Sequence, residues 1–528
     1  MIDPNVSGAH SGLDMRIRIL VGLALCAAAT ASAQMTNPPF VSVRSLSLRD
    51  CLDTALAHNL NLRIDHLTVG IAGDALSSAY GSYDPTLTLS ASRDYEDNPG
   101  DFDPRKFNPY FPAETTHEKA GIQLSGAAPW GFNYDLRGNV VKNEAITDFN
   151  SDPERAALYP DGIRSTNDYD SEVRLTMRQH LLKDFWIDSD REMLLARRTE
   201  VKISQQALRF QIMTTLLAVE LAYNDLIDSS EEIRVQEQAL ALRREFVTET
   251  ERRVQVGEVP PLENAQAQTQ LQNSLTALAA ARETFVARQN TLVGLLTDDY
   301  RKWVDLTLKP TDTLVALPLE ANRSRSFLLA LSNRPDLAEA RLEVEKSGVM
   351  VRFRLNQLFP SLDLVGSYGG LGGEPYSGGT SLNDALSVRY PEYSYGVVIS
   401  LPLSNIRARS EYRASKASKE IAELQLQKAE QDVLLQVSQY LNRAGYLFNQ
   451  VDSTRQARSY AEAALKSEVE KYQNGFTTSF VVLQYQEILT AARTAEIRAM
   501  VEYNNALAQL AFAEGTILER HHLSLELK

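Results

Sequence analysis

The chain has 528 residues, with 68 acidic against 54 basic side chains and a formal net charge of −14. There is no basic block, which speaks against nucleic acid as a partner. The length allows several domains, and only two cysteines are present, Cys26 and Cys51.

In chain order, the first signal is one of export. Arg16 and Arg18 precede an apolar run from Ile19 to Ala31, and Ala31-Ser32-Ala33 offers a small-residue cleavage site. Met15 sits where such a signal should start, so residues 1–14 read as an upstream extension. Leu25 is too large for the residue before a lipidated cysteine, and Cys26 is read as part of a signal that is removed. That leaves Cys51 alone, without an intrachain disulfide partner. Beyond the signal no apolar run reaches 18 residues, so a membrane-spanning helix is not expected. If this chain enters a membrane, it does so as strands.

An extended tail covers about 34–47, and a first helix about 48–80. The period then changes. Leu87, Leu89 and Ala91 alternate with Thr86, Thr88, Ser90 and Ser92, the pattern of a strand. Residues 97–117 are rich in Pro, Asp and Asn and read as a loop. A further alternating pair occupies 119–141, broken at Pro129-Trp130-Gly131. After a polar loop to about 168, Tyr169, Val173, Leu175 and Met177 alternate with Asp170, Glu172, Arg174 and Arg178. From about 188 to 255 the chain is helical, with Leu208, Ile212, Leu216, Val219, Tyr223 and Leu226 spaced three and four apart.

That helix stops at Val256-Gly257-Glu258-Val259. Gly suits the left-handed residue that ends a helix, and Pro260-Pro261 suit the start of the next. The same punctuation returns 218 positions later at Asn474-Gly475-Phe476-Thr477, so the chain carries two helical hairpins. Gln266, Gln268 and Leu271 match Gln484, Gln486 and Leu489 at that offset. At an offset of 275, Ala55-Leu56 matches Ala330-Leu331, and Pro85 and Leu87 match Pro360 and Leu362. The order helix, Pro, strand, long helix, Gly tip, helix thus occurs twice.

The second copy comprises a helix over about 325–357, a strand holding Leu362, Leu364 and Tyr368, and a Gly-rich loop over 366–380. A return strand with Tyr393, Tyr395, Val397 and Ile399 leads into helices over about 407–473 and 479–518. Each long helix spans roughly 100 Å, about the summed length of the two short helices in its copy. The product is a tall wall of helices. The strands have one apolar and one polar face. A half-solvated soluble sheet gives the same pattern, but in an exported chain it also fits a membrane barrel with a wet lumen. Four to six strands are too few to close, and an open edge cannot face lipid, so several chains would have to share one barrel.

These residues resemble the TolC family of outer-membrane efflux proteins. The resemblance rests on the helix Leu48 to Leu62, Tyr83-Asp84-Pro85 leading into a strand, Gln179-His180-Leu181-Leu182 closing one, Ala222-Tyr223, and the two Gly tips. It implies a mixed α and β fold: a homotrimer with a shared transmembrane β-barrel of about four strands per chain, twelve in all. That barrel continues into a long periplasmic α-helical barrel of coiled-coil hairpins, two repeats per chain. The implied division is signal 1–33, tail 34–47, first repeat 48–297, linker 298–325, second repeat 326–518 and tail 519–528. The implied function is a passive outer-membrane exit duct of a tripartite efflux or type I secretion system, fed by an inner-membrane pump of RND or ABC type. The exported substrate has no signature here.

The resemblance places docking of a periplasmic adaptor (membrane fusion) protein on Val256, Gly257, Glu258 and Val259, and on Asn474, Gly475, Phe476 and Thr477. A periplasmic constriction falls on Phe480, Val481 and Gln484. Some relatives carry acidic rings at such positions, and Val481 and Gln484 point instead to an apolar or amide constriction. Asp170, Glu172, Arg174 and Arg178 are expected to face the lumen, and Tyr393, Tyr395, Trp130 and Phe132 to mark a membrane interface. His521 and His522 read as a solvated tail rather than a metal pair. No nucleotide loop, zinc-helix motif or nucleophile elbow is present, so no enzyme, cofactor or metal is expected. The competing reading is a periplasmic or surface coiled-coil scaffold or adhesin without a pore.

Overall fold

A computed structural model describes residues 42–103, 108–319, 322–375 and 377–523. The expected signal, the start of the tail and residues 524–528 lie outside these. In chain order the elements are β1 (Ser42–Leu46), α1 (Leu48–His58), α2 (Leu60–Tyr80), β2 (Thr86–Asn98), β3 (Asp101–Asp103), β4 (Asn108–Tyr110), β5 (Ala113–Ala128), β6 (Phe132–Asp148), α3 (Pro153–Ala156), β7 (Ile163–His180), α4 (Ser189–Gln255) and α5 (Pro261–Leu296). There follow β8 (Leu306–Pro310), α6 (Arg323–Asn333), α7 (Pro335–Asn356), β9 (Ser361–Pro375), α8 (Gly378–Leu386), β10 (Tyr390–Ser400), α9 (Ile406–Gln473), α10 (Ser479–Ala513) and α11 (Ile517–Arg520).

The helices α4 and α9, of 67 and 68 residues, are each about 100 Å long. No described helix is long and apolar enough to cross a membrane. Each long helix packs against the shorter helices beside it in its own copy, α4 against α2 and α5 and α9 against α7 and α10, and α4 also packs against α7 and α10. Their seams supply the core. Leu208, Ile212, Leu216, Val219, Tyr223 and Leu226 on α4 are buried with Cys51, Leu52 and Leu62 of α1–α2 and Leu292 and Leu296 of α5. Val433, Val437 and Leu441 on α9 meet Ala330, Leu337 and Leu510.

Two helices expected to be continuous are broken, each at an equivalent place. Asn59 separates α1 from α2; its side chain accepts from the Asn61 and Leu62 amides and donates to the Leu295 carbonyl at 2.9 Å. That captures amides a helix start leaves without partners. Arg334-Pro335 separates α6 from α7, because proline is tolerated at a first helical position and not inside. Part of the expected tail is also ordered: β1 pairs in parallel with β8 of the linker.

The sheet departs most from expectation. Four strands were expected per chain; six lie in one antiparallel sheet, in the order β10-β9-β7-β6-β5-β2. The hairpin β5–β6 is not peripheral. It sits between β2 and β7, bonded on both sides. The strands also reach into segments read as loops: β2 to Asn98, β5 from Ala113, and β7 from Ile163. The Gly-rich stretch at 366–375 is strand rather than loop. Its glycines are required by α8, which lies across one face of the sheet. A Cβ on Gly372 would stand 1.8 Å from the Ser381 carbonyl oxygen, and one on Gly370 2.3 Å from that of Ala385. Ser381, Asp384 and Ala385 are the buried side of α8.

Candidate functional site

At the far end of α4, the Gly257 amide donates to Val254 and the Glu258 amide to Arg253. At the end of α9, Gly475 donates to Tyr472 and Phe476 to Lys471 in the same pattern. Both glycines have positive φ, 80° and 78°, the left-handed cap that satisfies the last carbonyls of a helix. A Cβ on either would meet nothing within 4 Å, so the glycine is there for its backbone alone.

Around these caps Val256, Glu258, Asn474 and Phe476 are exposed, while Val259 and Thr477 are half-buried. Phe476 is 82% exposed and Val256 66%, so each cap leaves an apolar side chain uncovered. On the first turns of α10, Phe480 (63% exposed) and Gln484 share an open face, and Val481 is half-buried beside buried Val482 and Leu483. The three residues expected to form a constriction therefore divide between two faces, Phe480 and Gln484 outward and Val481 toward the seam.

What holds the two tips together is legible only in the structure. Phe246, Val247, Leu465, Tyr472 and Val482 form a buried cluster between the hairpins. Arg253 reaches from α4 to α9: it lies 4.8 Å from the Tyr472 ring centroid and donates to the Tyr472 carbonyl at 3.4 Å. Glu249 holds its Nε at 2.9 Å. Burial pushes the Tyr472 phenol above its ordinary pKa. Arg253 and Tyr472 sit just before their glycines, but nothing in the local spacing separates them from the other polar residues of these helices.

At the opposite end, the sheet sorts its side chains cleanly. Leu87, Leu89, Ile122, Leu136, Val173, Tyr368, Tyr393 and Tyr395 share one face by register. On it most large apolar side chains are open, Leu89 at 72% and Tyr395 at 86%. Tyr134 joins them, and Phe132 marks the helix-proximal end of that face with Trp130 in the adjoining turn. Asp170, Glu172, Arg174 and Arg178 are together on the other face. There Arg174 pairs with Glu172 at 2.6 Å and reaches over Gly369 to Glu392. Asp170 accepts from Asn143 at 2.8 Å. A sheet that exposes aliphatic side chains on one side and a charged network on the other is built for two solvents.

The reading of the C-terminal segment as a solvated tail is corrected in part. His521 lies 2.9 Å from Glu220, which is 2% exposed on α4 and also receives Arg520 at 3.2 Å. A buried carboxylate needs such partners, and they arrive from 300 residues away in sequence. His522 faces outward at positive φ. Among the described residues no group of three His, Cys, Asp or Glu side chains is placed to hold a metal.

Residues 328–516 match the family model described as outer membrane efflux protein. A curated relative, the outer membrane efflux protein BepC of Brucella suis, is 25% identical over 348 residues, covering 65% of this chain and 71% of its own. Among solved structures, a membrane protein from Pseudomonas aeruginosa matches with a TM-score of 0.63 at 18% identity, over 89% of this chain and 92% of that one. The CmeC outer membrane channel of Campylobacter jejuni matches with 0.63 at 15%, over 91% and 90%. Over 328–516 the chain is thus similar to the outer membrane efflux proteins, and the fold of its described residues is similar to that of solved TolC-like outer-membrane channels.

Proposed function

We propose that this chain is a passive exit duct that three copies assemble across the outer membrane and the periplasm. The observation that carries this reading is the six-stranded sheet with an apolar face that α8 covers only in part and two unpaired edges, continuous with helices about 100 Å long. Such a sheet cannot rest in water with its apolar face open, nor in lipid with its edges open. Sister subunits supply the missing edges and the bilayer covers the face. The helices then form the tunnel wall, and Asp170, Glu172, Arg174 and Arg178 line the wet side of the barrel.

The two helical tips lie at the end of the wall remote from the sheet. There they meet a periplasmic adaptor through Val256, Gly257, Glu258 and Val259 and through Asn474, Gly475, Phe476 and Thr477. Phe480 and Gln484, on one open face of α10 just inside the tip, narrow the entrance with Val481 behind them. Driving energy comes from an inner-membrane pump of RND or ABC type. The test is purification of the full chain from outer membranes, followed by gel analysis with and without heating and by planar-bilayer recording. A heat-labile trimer with discrete conductance steps is expected. A monomeric, water-soluble product without conductance would overturn the reading and favour a scaffold.

A further inference from the structure

We propose that the hairpin β5–β6 is part of the membrane wall and that the closed barrel therefore holds eighteen strands, six from each of three copies. This rests on the trimeric duct reading and extends it. The first observation is position: β2 pairs along its whole length with β5, β5 along its whole length with β6, and β6 with β7. With the hairpin outside the wall, β2 would have to pair with β7 directly, and the β2–β5 and β6–β7 interfaces would be lost.

The second observation is that both faces run through the hairpin without a break. On the apolar side Leu124, Ile122 and Ala120 of β5 and Leu136 and Val140 of β6 share the face of Leu89. They line one shallow hollow of about 680 Å³ that α8 borders with Leu382 and Leu386. On the polar side Lys119 lies 3.5 Å from Asp94 of β2. His117 contacts Asn143 at 2.7 Å, and Asn143 donates to Asp170 of β7. A hairpin folded away from the wall has no reason to keep this alternation in register with both neighbours.

The third observation is stagger. Following paired residues from Thr86 at the start of β2 leads through Ser125, Asp135, Thr176 and Ser367 to Ser394 of β10. At the helix-proximal end β5 overshoots this line by three residues, β7 by four and β10 by six, ending at Ser400. A one-way stagger is what barrel closure demands. Bringing Ser400, or a residue up to two beyond it, beside Thr86 of the next copy gives a shear of about 18–24 for eighteen strands. With a rise of about 3.3 Å and strands about 4.8 Å apart, the tilt is about 35–43°, within the range of closed barrels. Strand directions alternate across all six, so β10 runs antiparallel to the neighbouring β2, as an even-stranded wall requires. At equal tilt this barrel is about half as wide again as one of twelve strands.

The test uses the full chain reconstituted in nanodiscs. Cryo-electron microscopy of the trimer should count eighteen strands in cross-section. In parallel, Ile122→Cys and Val140→Cys should be sealed from a water-soluble maleimide and reached by a bilayer-dissolved one, while Asn139→Cys should show the reverse. Thr88→Cys combined with Val398→Cys or Ser400→Cys should cross-link neighbouring subunits on oxidation. A twelve-strand wall with residues 113–148 outside it, or equal aqueous labelling of Ile122→Cys and Asn139→Cys, would overturn the strand count and leave the trimeric duct standing. Absence of any trimer or pore would instead sink the duct reading on which the count rests.

Discussion

Among the described residues, three helices end on the same hydrogen-bonded cap with glycine in its left-handed position, at Gly257, Gly475 and Gly515, with φ of 80°, 78° and 76°. Replacing each by alanine separates backbone strain from packing. Holding an L-residue in the left-handed region costs about 1–2 kcal/mol. At Gly257 and Gly475 the new methyl meets nothing within 4 Å, so that is the whole effect. At Gly515 it stands 2.9 Å from the Asn333 Cβ, 3.0 Å from the Asn333 carbonyl carbon and 3.2 Å from the Arg334 nitrogen. That backbone has little room to yield, because the buried Arg334 is tied to Asp336 at 2.7 Å and to Gln436 at 2.7 Å. Overpacking adds about 1–3 kcal/mol.

Hydrogen exchange followed by mass spectrometry reads the first term. In Gly257→Ala and Gly475→Ala, amides of the last turn and the cap should exchange about 5–30-fold faster, with little change elsewhere. Gly515→Ala should lower the melting temperature of the helical region well beyond either tip variant, because it wedges α6–α7 off the end of α10. Equal melting losses in all three variants would refute the steric reasoning. Unchanged exchange at the tips would refute the backbone reasoning.

Further outcomes can be checked on the same protein. Replacing Arg520 and His521 together by alanine leaves Glu220 buried without its partners; a loss of about 3–5 kcal/mol in urea unfolding is expected, and rescue by Glu220→Gln in that background would identify the stranded charge as the cause. Cys51 is fully buried, and burial pushes its thiol up to about 12; alkylation at pH 8 should wait for unfolding, and rapid reaction of the native protein would contradict the packing around α1. Burial raises the Asp228 carboxyl, against a lowering influence of Arg498. A carboxyl raised on folding penalises the folded state above its folded pKa and not below its unfolded one, so Asp228→Asn should raise the melting temperature at pH 7.5 and lose that advantage below about pH 4.

The local pattern allowed four to six strands and the resemblance favoured four; the tertiary arrangement holds six in one sheet. The reason is visible at particular residues. The long helices, the Gly257 and Gly475 tips and the change of period at Thr86 are properties of short stretches, set by spacing and by backbone preferences that neighbours in sequence share. The alternation at 119–141 was equally plain in the sequence. Its membership in the sheet was not, because membership depends on β2 and β7 offering their edges at the right register, which no local window contains. The glycines of β9 looked like a loop until α8 was seen to lie on them. His521 looked solvated until Glu220, 301 positions earlier, was found beside it. Local chain chemistry thus set the long helices, the two tips and where strand alternation begins; contacts between segments far apart in sequence decided how far the strands run, how many stand side by side and which polar groups are buried, since burial and edge pairing exist only once those segments meet.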